Sequence, residues 1–236
     1  ATGGKIKEAP DLPFRKSEGS EGYFSSTKTT IDSIKNNIRS LLLKQAAARS
    51  SNNSSDWDFS QVKKLKRHNE RMVLAAVLLP IIDKEEGISI ILTKRSNKLK
   101  HHPGQIAFPG GKMKGKEAPW LCALREAQEE IGLDPRLVRN IGEIPRHQTI
   151  TGFDIIPFVG EVLERDIKFS PDTNEVTEVF EVPLDFILNR ENMSLHTLDE
   201  NENRLGYYAI PYGPYYIWGA TARIIKSFSE AIIGKL

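Results

Sequence analysis

The segment of residues 111–133, GKMKGKEAPWLCALREAQEEIGL, decides how this chain is interpreted. Its centre, residues 125–130, reads REAQEE and places three glutamates within five positions. In a helix, Glu126 and Glu130 are four residues apart and share a face, with Glu129 beside them. Like charges at this spacing destabilise a helix by roughly 0.2–0.5 kcal/mol. The segment therefore carries a charge arrangement that helix formation alone does not favour.

Two interpretations of this acidic segment remain open when it is considered by itself. The first is a solvated helix face with no chemical role. The second is a metal site, because hard divalent cations such as Mg²⁺ take carboxylate oxygens as ligands and would convert the repulsion into coordination. The surrounding sequence has to distinguish between the two.

Length and composition narrow the class of protein. The chain has 236 residues, of which 39% are apolar and 8% aromatic, enough for one sizeable domain with an extension or for two small domains. The net charge of +2 gives no electrostatic argument for nucleic-acid binding. A single cysteine, Cys122, excludes an internal disulfide and a cysteine-based metal cluster, and it favours a reducing compartment. No apolar run reaches 18 residues, so no membrane association is predicted.

The first 70 residues divide into two predicted segments. Residues 1–28 are polar and are predicted to be a flexible lead-in. Residues 29–70 are predicted to contain a helix, with apolar residues at helical spacing from Ile31 onward and Thr30 as its N-cap, followed by a linker. Within the linker, residues 50–56 have the composition of a loop. Residues 62–68 are basic, which indicates a solvated surface or a phosphate-facing patch.

Residues 71–236 are predicted to form one domain. Pro119 and Gly132 are typical of the first turn and the end of a helix, whose core face would carry Leu121, Leu124 and Ile131. Strand-like runs occupy residues 73–82, 88–92, 141–144, 155–162 and 176–182, and an amphipathic helix closes the chain at residues 218–233. This order predicts an α/β (α+β) sandwich with a mixed β-sheet.

The spacing of the acidic segment resembles a known family motif. It contains, in order, Gly111, five residues, Glu117, seven residues, Arg125-Glu126-Ala127, one residue, Glu129-Glu130, one residue and Gly132-Leu133. This pattern resembles the Nudix box at every defined position. The resemblance implies an α/β/α sandwich in which a loop–helix–loop catalytic segment holds Mg²⁺ or Mn²⁺ against a diphosphate. It also implies hydrolysis of nucleoside diphosphates linked to another group.

The resemblance implies a role for each acidic residue. Glu126 and Glu130 are the expected metal ligands, followed by Glu129, and the main-chain carbonyl of Gly110 is a further candidate ligand. Arg125 is expected to pair with and orient the acids. A bound metal would neutralise the diphosphate and make a bound water more nucleophilic, so these residues are expected to be catalytic as well.

A second motif precedes the box. It reads Leu92-Thr93-Lys94-Arg95-Ser96, three residues, Lys100, three residues, Gly104, three residues and Phe108-Pro109-Gly110-Gly111. It resembles the motif of the coenzyme A diphosphatase subgroup, which usually has arginine where this chain has Lys100. Lysine keeps the charge but loses bidentate phosphate contact. The resemblance implies substrate contacts, and the predicted substrate-binding residues are Lys94, Arg95, Lys100, Gly104, Phe108 and Gly111.

The general base is left open by the sequence. In Nudix enzymes it is a glutamate of the box or a carboxylate on a later loop, so Glu129, Glu175 and Glu178 are all candidates. Glu175 and Glu178 are equally compatible with ordinary polar positions of an edge strand. His101 and His102 lie inside the second motif, at positions that the motif leaves open.

The predicted function is metal-dependent hydrolysis of coenzyme A or acyl-coenzyme A to 3′,5′-adenosine bisphosphate and (acyl-)4′-phosphopantetheine. The alternative within this class is hydrolysis of another nucleoside diphosphate derivative, such as ADP-ribose or NADH. A catalytically silent nucleotide sensor would be expected to have lost acids of the box, whereas the box acids of this chain are intact. The expected partner is a small-molecule nucleotide, with neither nucleic acid nor membrane, and a homodimer is left open. The closing helix resembles the bacterial type, which favours a bacterial cytoplasm.

Overall fold

The computed structural model describes residues 30–48, 54–55, 72–200 and 203–233, with side chains omitted at 41–48, 198–200 and 203–205. The predictions for residues 1–28 and for the basic run 62–68 lie outside these ranges. Within them, no helix is long and apolar enough to cross a membrane.

Four α-helices and twelve strands are present in the described residues. The helices are α1 (Ile31–Ala48), α2 (Pro119–Ile131), α3 (Leu184–Leu188) and α4 (Gly219–Ile233). The strands are β1 (Ser54–Ser55), β2 (Val73–Lys84), β3 (Gly87–Arg95), β4 (Ile106–Ala107), β5 (Gly110–Lys112), β6 (Val138–Glu143), β7 (His147–Gln148), β8 (Phe153–Val162), β9 (Val176–Pro183), β10 (Ser194–Glu200), β11 (Asn203–Tyr212) and β12 (Tyr215–Trp218).

The larger of two sheets is mixed. Within the described residues, its main path runs β1-β7-β8-β2-β3-β4, with β5 paired to β2, β6 to β8 and β9 to β3. β2 and β8 are parallel, whereas β2 and β3 form the antiparallel hairpin that the turn at Gly87 predicted. The first half of β2 pairs with β5 and its second half with β3. Along this edge of β2 the pairing partner thus changes from β5 to β3, and the change lies beside the Phe108–Gly111 region and the box helix.

Helices cover both faces of this sheet. On one face, α2 packs Ala123, Ala127 and Ile131, each fully buried, into a core with residues of β2 and β8. On the other face, α1, α3 and α4 share a larger core with β3 and with the small sheet β10-β11-β12. Successive side chains of a strand alternate between the two faces of the sheet. In β2, β3 and β8, even-numbered and odd-numbered apolar residues of the same strand therefore belong to different cores. The α/β/α sandwich with a mixed sheet is confirmed.

The N-terminal helix packs directly on the domain. Thr30 caps it, since its Oγ1 accepts the Ser33 N–H at 3.1 Å. Ile34 and Ile38 are fully buried in the larger core. The Asn37 side chain donates to the carbonyl of Ile232 near the end of α4, at 2.8 Å. The helix α1 therefore covers one face of the sheet.

Two details of the predicted secondary structure are wrong, and one small sheet was not predicted. Leu121 is 57% exposed, because the buried stripe of α2 runs through Ala123, Ala127 and Ile131 and Leu121 points away from it. Ser54–Ser55, predicted as loop, pairs in parallel with β7. The small sheet of β10, β11 and β12 carried no periodicity strong enough to predict it.

Candidate active site

The box helix α2 has its predicted boundaries. Pro119 occupies its first turn, where a missing N–H costs little, and Gly132 ends it in a left-handed conformation with φ of 70°. The Gly132 N–H returns to the carbonyl of Gln128 at 3.0 Å. Because Ala127 and Ile131 face the sheet, Glu126, Glu129 and Glu130 are arranged around the edge of the buried stripe. Exposure then differs sharply among the three acids.

Arg125 connects the acids of the box. Its guanidinium binds both carboxylate oxygens of Glu117, at 2.8 and 3.1 Å. It also donates to Glu126 at 2.6 Å and to Glu129 at 3.0 Å. The bonds that Glu117 accepts from Arg125 and from the Lys114 N–H lower the pKa of Glu117 to about 2. Arg125 thus holds Glu126 and Glu129 on one side of the helix and fixes the loop before it through Glu117.

Glu130 is the buried acid of the segment, with 3% of its surface exposed. One carboxylate oxygen accepts the Gly110 N–H at 3.1 Å, and the other lies 3.7 Å from the Arg95 guanidinium. Burial raises the pKa of Glu130 to about 8, and the charges of Glu126 and Glu175 act in the same direction. Glu130 is therefore a confined carboxylate with two like-charged neighbours.

Two glycines allow the main chain to approach these acids. A Cβ at Gly111 would lie 2.5 Å from the carboxylate carbon of Glu126, closer than atoms can pack. A Cβ at Gly110 would lie 2.5 Å from the carbonyl oxygen of Ala76 on β2. Glycine at both positions lets β5 lie between β2 and α2, which places its backbone against Glu126 and Glu130.

The chemistry of these groups fits a hard divalent cation. The available donors are carboxylate oxygens from α2 and main-chain oxygens from β5, which suit Mg²⁺ or Mn²⁺ better than softer metals. Among the residues described, no three His, Cys, Asp or Glu side chains already converge as a metal cluster. The metal-ligand roles of Glu126, Glu129, Glu130 and Gly110 stay predictions.

The two adjacent cations of the second motif lie on opposite faces of β3. Arg95 points to the α2 face, where it contacts Glu130. Lys94 pairs in register with Glu178 of β9, whose carboxylate accepts a hydrogen bond from Tyr215 of β12 on the opposite face. The register of β3 with β9 shifts between Lys94 and Arg95, and the extra residue of this bulge is Thr177 on β9.

Other residues of the second motif shape the backbone. We call residues 96–105 the signature loop. Its ends meet at Arg95, whose N–H donates to Gln105 at 2.9 Å and whose carbonyl accepts the Gly104 N–H at 3.1 Å. Gly104 has a φ of +69°, where a side chain is strained. Phe108 is 4% exposed within the larger core, and Lys100 is exposed. Gly104 and Phe108 thus have evident structural roles.

The later acids differ in their distance from the box. Glu175 is exposed, and its charge acts on Glu130. Its backbone is held on both sides, by Asp172 at 2.9 Å and by Ser96 of the signature loop at 2.8 Å. The carboxylate of Glu178 accepts a hydrogen bond from Tyr215 on the face of the sheet opposite the box. Of these two acids, Glu175 is the one whose charge acts on Glu130, and its catalytic role stays a prediction.

Sequence reasoning missed the loop that brings Glu175 there. The Ser170 N–H donates to the carbonyl of Ile131 at 2.9 Å, and the Asp172 N–H donates to that of Glu130 at 3.0 Å. The loop therefore caps the C-terminal carbonyls of α2, which otherwise lack partners. The only available signal was the polar composition of residues 170–175.

The rings of Tyr215 and Phe153 contact other side chains, and the histidines of the signature loop are exposed. Tyr215 stacks on Phe180 with ring centroids 3.7 Å apart, so one ring face is already occupied. Lys112 lies over the Phe153 ring at 5.6 Å. His101 and His102 are exposed on the signature loop, and His102 has a φ of 54°, unusual for a residue other than glycine.

Comparison with known proteins identifies the family. The NUDIX domain profile matches residues 72–200. The uncharacterized Nudix hydrolase NudL of Klebsiella pneumoniae subsp. pneumoniae is 38% identical over 171 residues, covering 70% of this chain and 86% of that protein. The uncharacterized NudL of Enterobacter sp. is 35% identical over 159 residues, covering 67% of this chain and 82% of that protein.

Among solved structures, the Nudix hydrolase RenU of M. smegmatis aligns with a TM-score of 0.42 and 24% identity, over 49% of this chain and 72% of that chain. The family profile and the curated relatives carry the assignment. The chain therefore belongs to the Nudix family of hydrolases, which act on diphosphate bonds of nucleoside diphosphate derivatives and generally use divalent metal cations.

Proposed function

We propose that the protein hydrolyses the diphosphate of coenzyme A, or of acyl-coenzyme A, to 3′,5′-adenosine bisphosphate and (acyl-)4′-phosphopantetheine. Water adds to one phosphorus of the diphosphate, the bridging P–O bond breaks, and each product keeps one of the two phosphates. Mg²⁺ or Mn²⁺, when bound, supplies charge neutralisation of the diphosphate and lowers the pKa of a bound water.

The chain's own residues have separable tasks in this proposal. Glu126 and Glu130, with Glu129 and the Gly110 carbonyl, would hold the cation. Arg125 orients Glu126 and Glu129 through the bonds described above. Glu175 or Glu129 would accept the proton of the attacking water, since both are exposed beside the buried Glu130.

One observation carries the choice of coenzyme A over other nucleotides. The signature loop carries the exposed cations Lys98 and Lys100, and it closes on Arg95, whose guanidinium lies 3.7 Å from Glu130 of the box. Coenzyme A carries a 3′-phosphate in addition to its diphosphate, and an exposed basic loop next to the metal acids suits that extra charge. Of the other two predicted phosphate contacts, Arg95 lies on the face of β3 that carries the box, whereas Lys94 lies on the opposite face.

The alternative is a hydrolase of another nucleoside diphosphate derivative, such as ADP-ribose or NADH. It is favoured by the structural roles of Gly104 and Phe108, which leave fewer motif residues free to recognise one substrate. A homodimer and a cytoplasmic location remain predictions in either case.

The deciding experiment compares substrates at equal concentration. Purified protein is incubated with Mg²⁺ or Mn²⁺ and with coenzyme A, ADP-ribose or NADH, and the products are identified by mass spectrometry. We expect 3′,5′-adenosine bisphosphate and 4′-phosphopantetheine from coenzyme A at the highest kcat/KM. Turnover of ADP-ribose or NADH without turnover of coenzyme A would reject the proposal in favour of the alternative.

A further inference from the structure

Among the residues that the structure describes, one cation contacts Glu130 from outside the box helix. The Arg95 guanidinium lies 3.7 Å from one oxygen of Glu130, and the Gly110 N–H holds the other oxygen at 3.1 Å. Glu130 is 3% exposed, whereas the Arg95 side chain is 26% exposed. A carboxylate this deeply buried is costly unless it is paired and hydrogen-bonded, and these two groups supply both.

Arg125, the other arginine of the site, is directed elsewhere. Its contacts are with Glu117, Glu126 and Glu129, at 2.6–3.1 Å. The charges of Glu126 and Glu175 act against an ionised Glu130, and that of Arg95 acts in its favour. The charge balance of this buried acid therefore depends on Arg95.

The backbone around Arg95 fixes this contact. Both its N–H and its carbonyl are bonded to the end of the signature loop, and the next residue, Ser96, donates to the carbonyl of Glu175 at 2.8 Å. Arg95 lies on the face of β3 that carries the box, because it follows Lys94 and successive side chains of a strand alternate between faces. This arrangement holds the Arg95 guanidinium beside the Glu130 carboxylate.

Resting on the proposed function, we propose that Arg95 is a built-in counter-charge and positioning residue for Glu130. From its position on β3, Arg95 neutralises and orients the buried carboxylate of Glu130. It also weakens the binding of a divalent cation to the same carboxylate. Two cations that share one buried carboxylate attract that carboxylate and repel each other, so removing one strengthens the binding of the other. A residue that only contacted substrate phosphate would leave metal affinity without substrate unchanged.

The test measures Mn²⁺ binding in the absence of any nucleotide. Free Mn²⁺ is followed by electron paramagnetic resonance, and the melting temperature is recorded with and without Mn²⁺. Arg95→Gln is expected to melt below the wild type without metal, to gain more from Mn²⁺, and to bind Mn²⁺ at least about threefold more tightly. Arg95→Lys, which keeps the charge, is expected to stay close to the wild type.

The control is Arg139→Gln, which removes an exposed cation paired with Glu161 away from the box and is expected to change neither quantity. Unchanged or weaker Mn²⁺ binding by Arg95→Gln would overturn the inference, as would Arg95→Lys behaving like Arg95→Gln. If Arg95→Gln folds only with Mn²⁺, the inference is supported when Arg95→Lys folds without it. Absence of Mn²⁺ binding by the wild type would instead reject the proposed metal site, and with it this inference.

Discussion

The box helix α2 and the signature loop differ in how their sequences relate to their structures. In α2, the charged residues contact one another, and Arg125 links three carboxylates across a single turn and the preceding loop. In the signature loop, the fixed positions mainly close the backbone, and the exposed lysines are left to meet a ligand. The comparison teaches that the box positions its charged groups through their own contacts, whereas the second motif first fixes the placement of β3 and β5 against the box.

The largest effect is expected from the buried acid of the box. Glu130→Gln should lower kcat by at least about 100-fold, because a neutral amide is a poor ligand for a metal that stabilises charge in the transition state. Steady-state kinetics with Mg²⁺ would measure it, with Arg139→Gln as the control. Activity that survives Glu130→Gln would show that the metal site is misplaced.

The next largest effect separates the two later acids. Glu175→Gln should lower kcat by about 100-fold if Glu175 accepts the proton of water, the lower end for a general base. Glu178→Gln should lower it much less, since Glu178 is bonded to Tyr215 on the other face of the sheet. Equal losses in the two variants would contradict this distinction, and little loss in either would leave Glu129 as the base.

A pair of glycine variants tests the different roles of box and loop. Gly111→Ala should lower kcat roughly tenfold, because its Cβ would displace the Glu126 carboxylate, and small misplacements at a reacting centre are costly. Gly104→Ala should instead lower the free energy of unfolding by about 1–2 kcal/mol, because alanine is strained at a φ of +69°. Kinetics and urea unfolding of both variants would reveal whether the effects are separated in this way.

The smallest effect is expected at the exposed end of the loop. Lys100→Gln should raise the KM for coenzyme A about threefold without changing kcat, in line with the modest energy of an exposed ion pair. The KM for 3′-dephospho-coenzyme A should stay constant if Lys100 meets the 3′-phosphate. Lys100→Arg, which restores bidentate contact, should lower the KM for coenzyme A. Equal changes for both substrates would place Lys100 elsewhere.

Much of the fold and of the box could be predicted from local patterns. The caps of α1 and α2, the hairpin at Gly87 and the main strands follow from residue periodicity and from glycine and proline chemistry. Leu121 was mispredicted because an apolar residue on a helix does not reveal which direction the sheet lies in. The small sheet was missed because its strands show little alternation of apolar and polar residues and are stabilised by packing against α4.

The sequence by itself determined the family, the box helix and the acids that it carries, because these depend on spacing along one helix and one loop. Only the tertiary structure decided that Glu130 is the buried acid, that Arg95 and Gly110 hold it, and that Lys94 points to the opposite face. These facts depend on how β3, β5 and α2 meet where the pairing partner of β2 changes. Burial and charge pairing between distant segments are properties of packing, and no local pattern contains them.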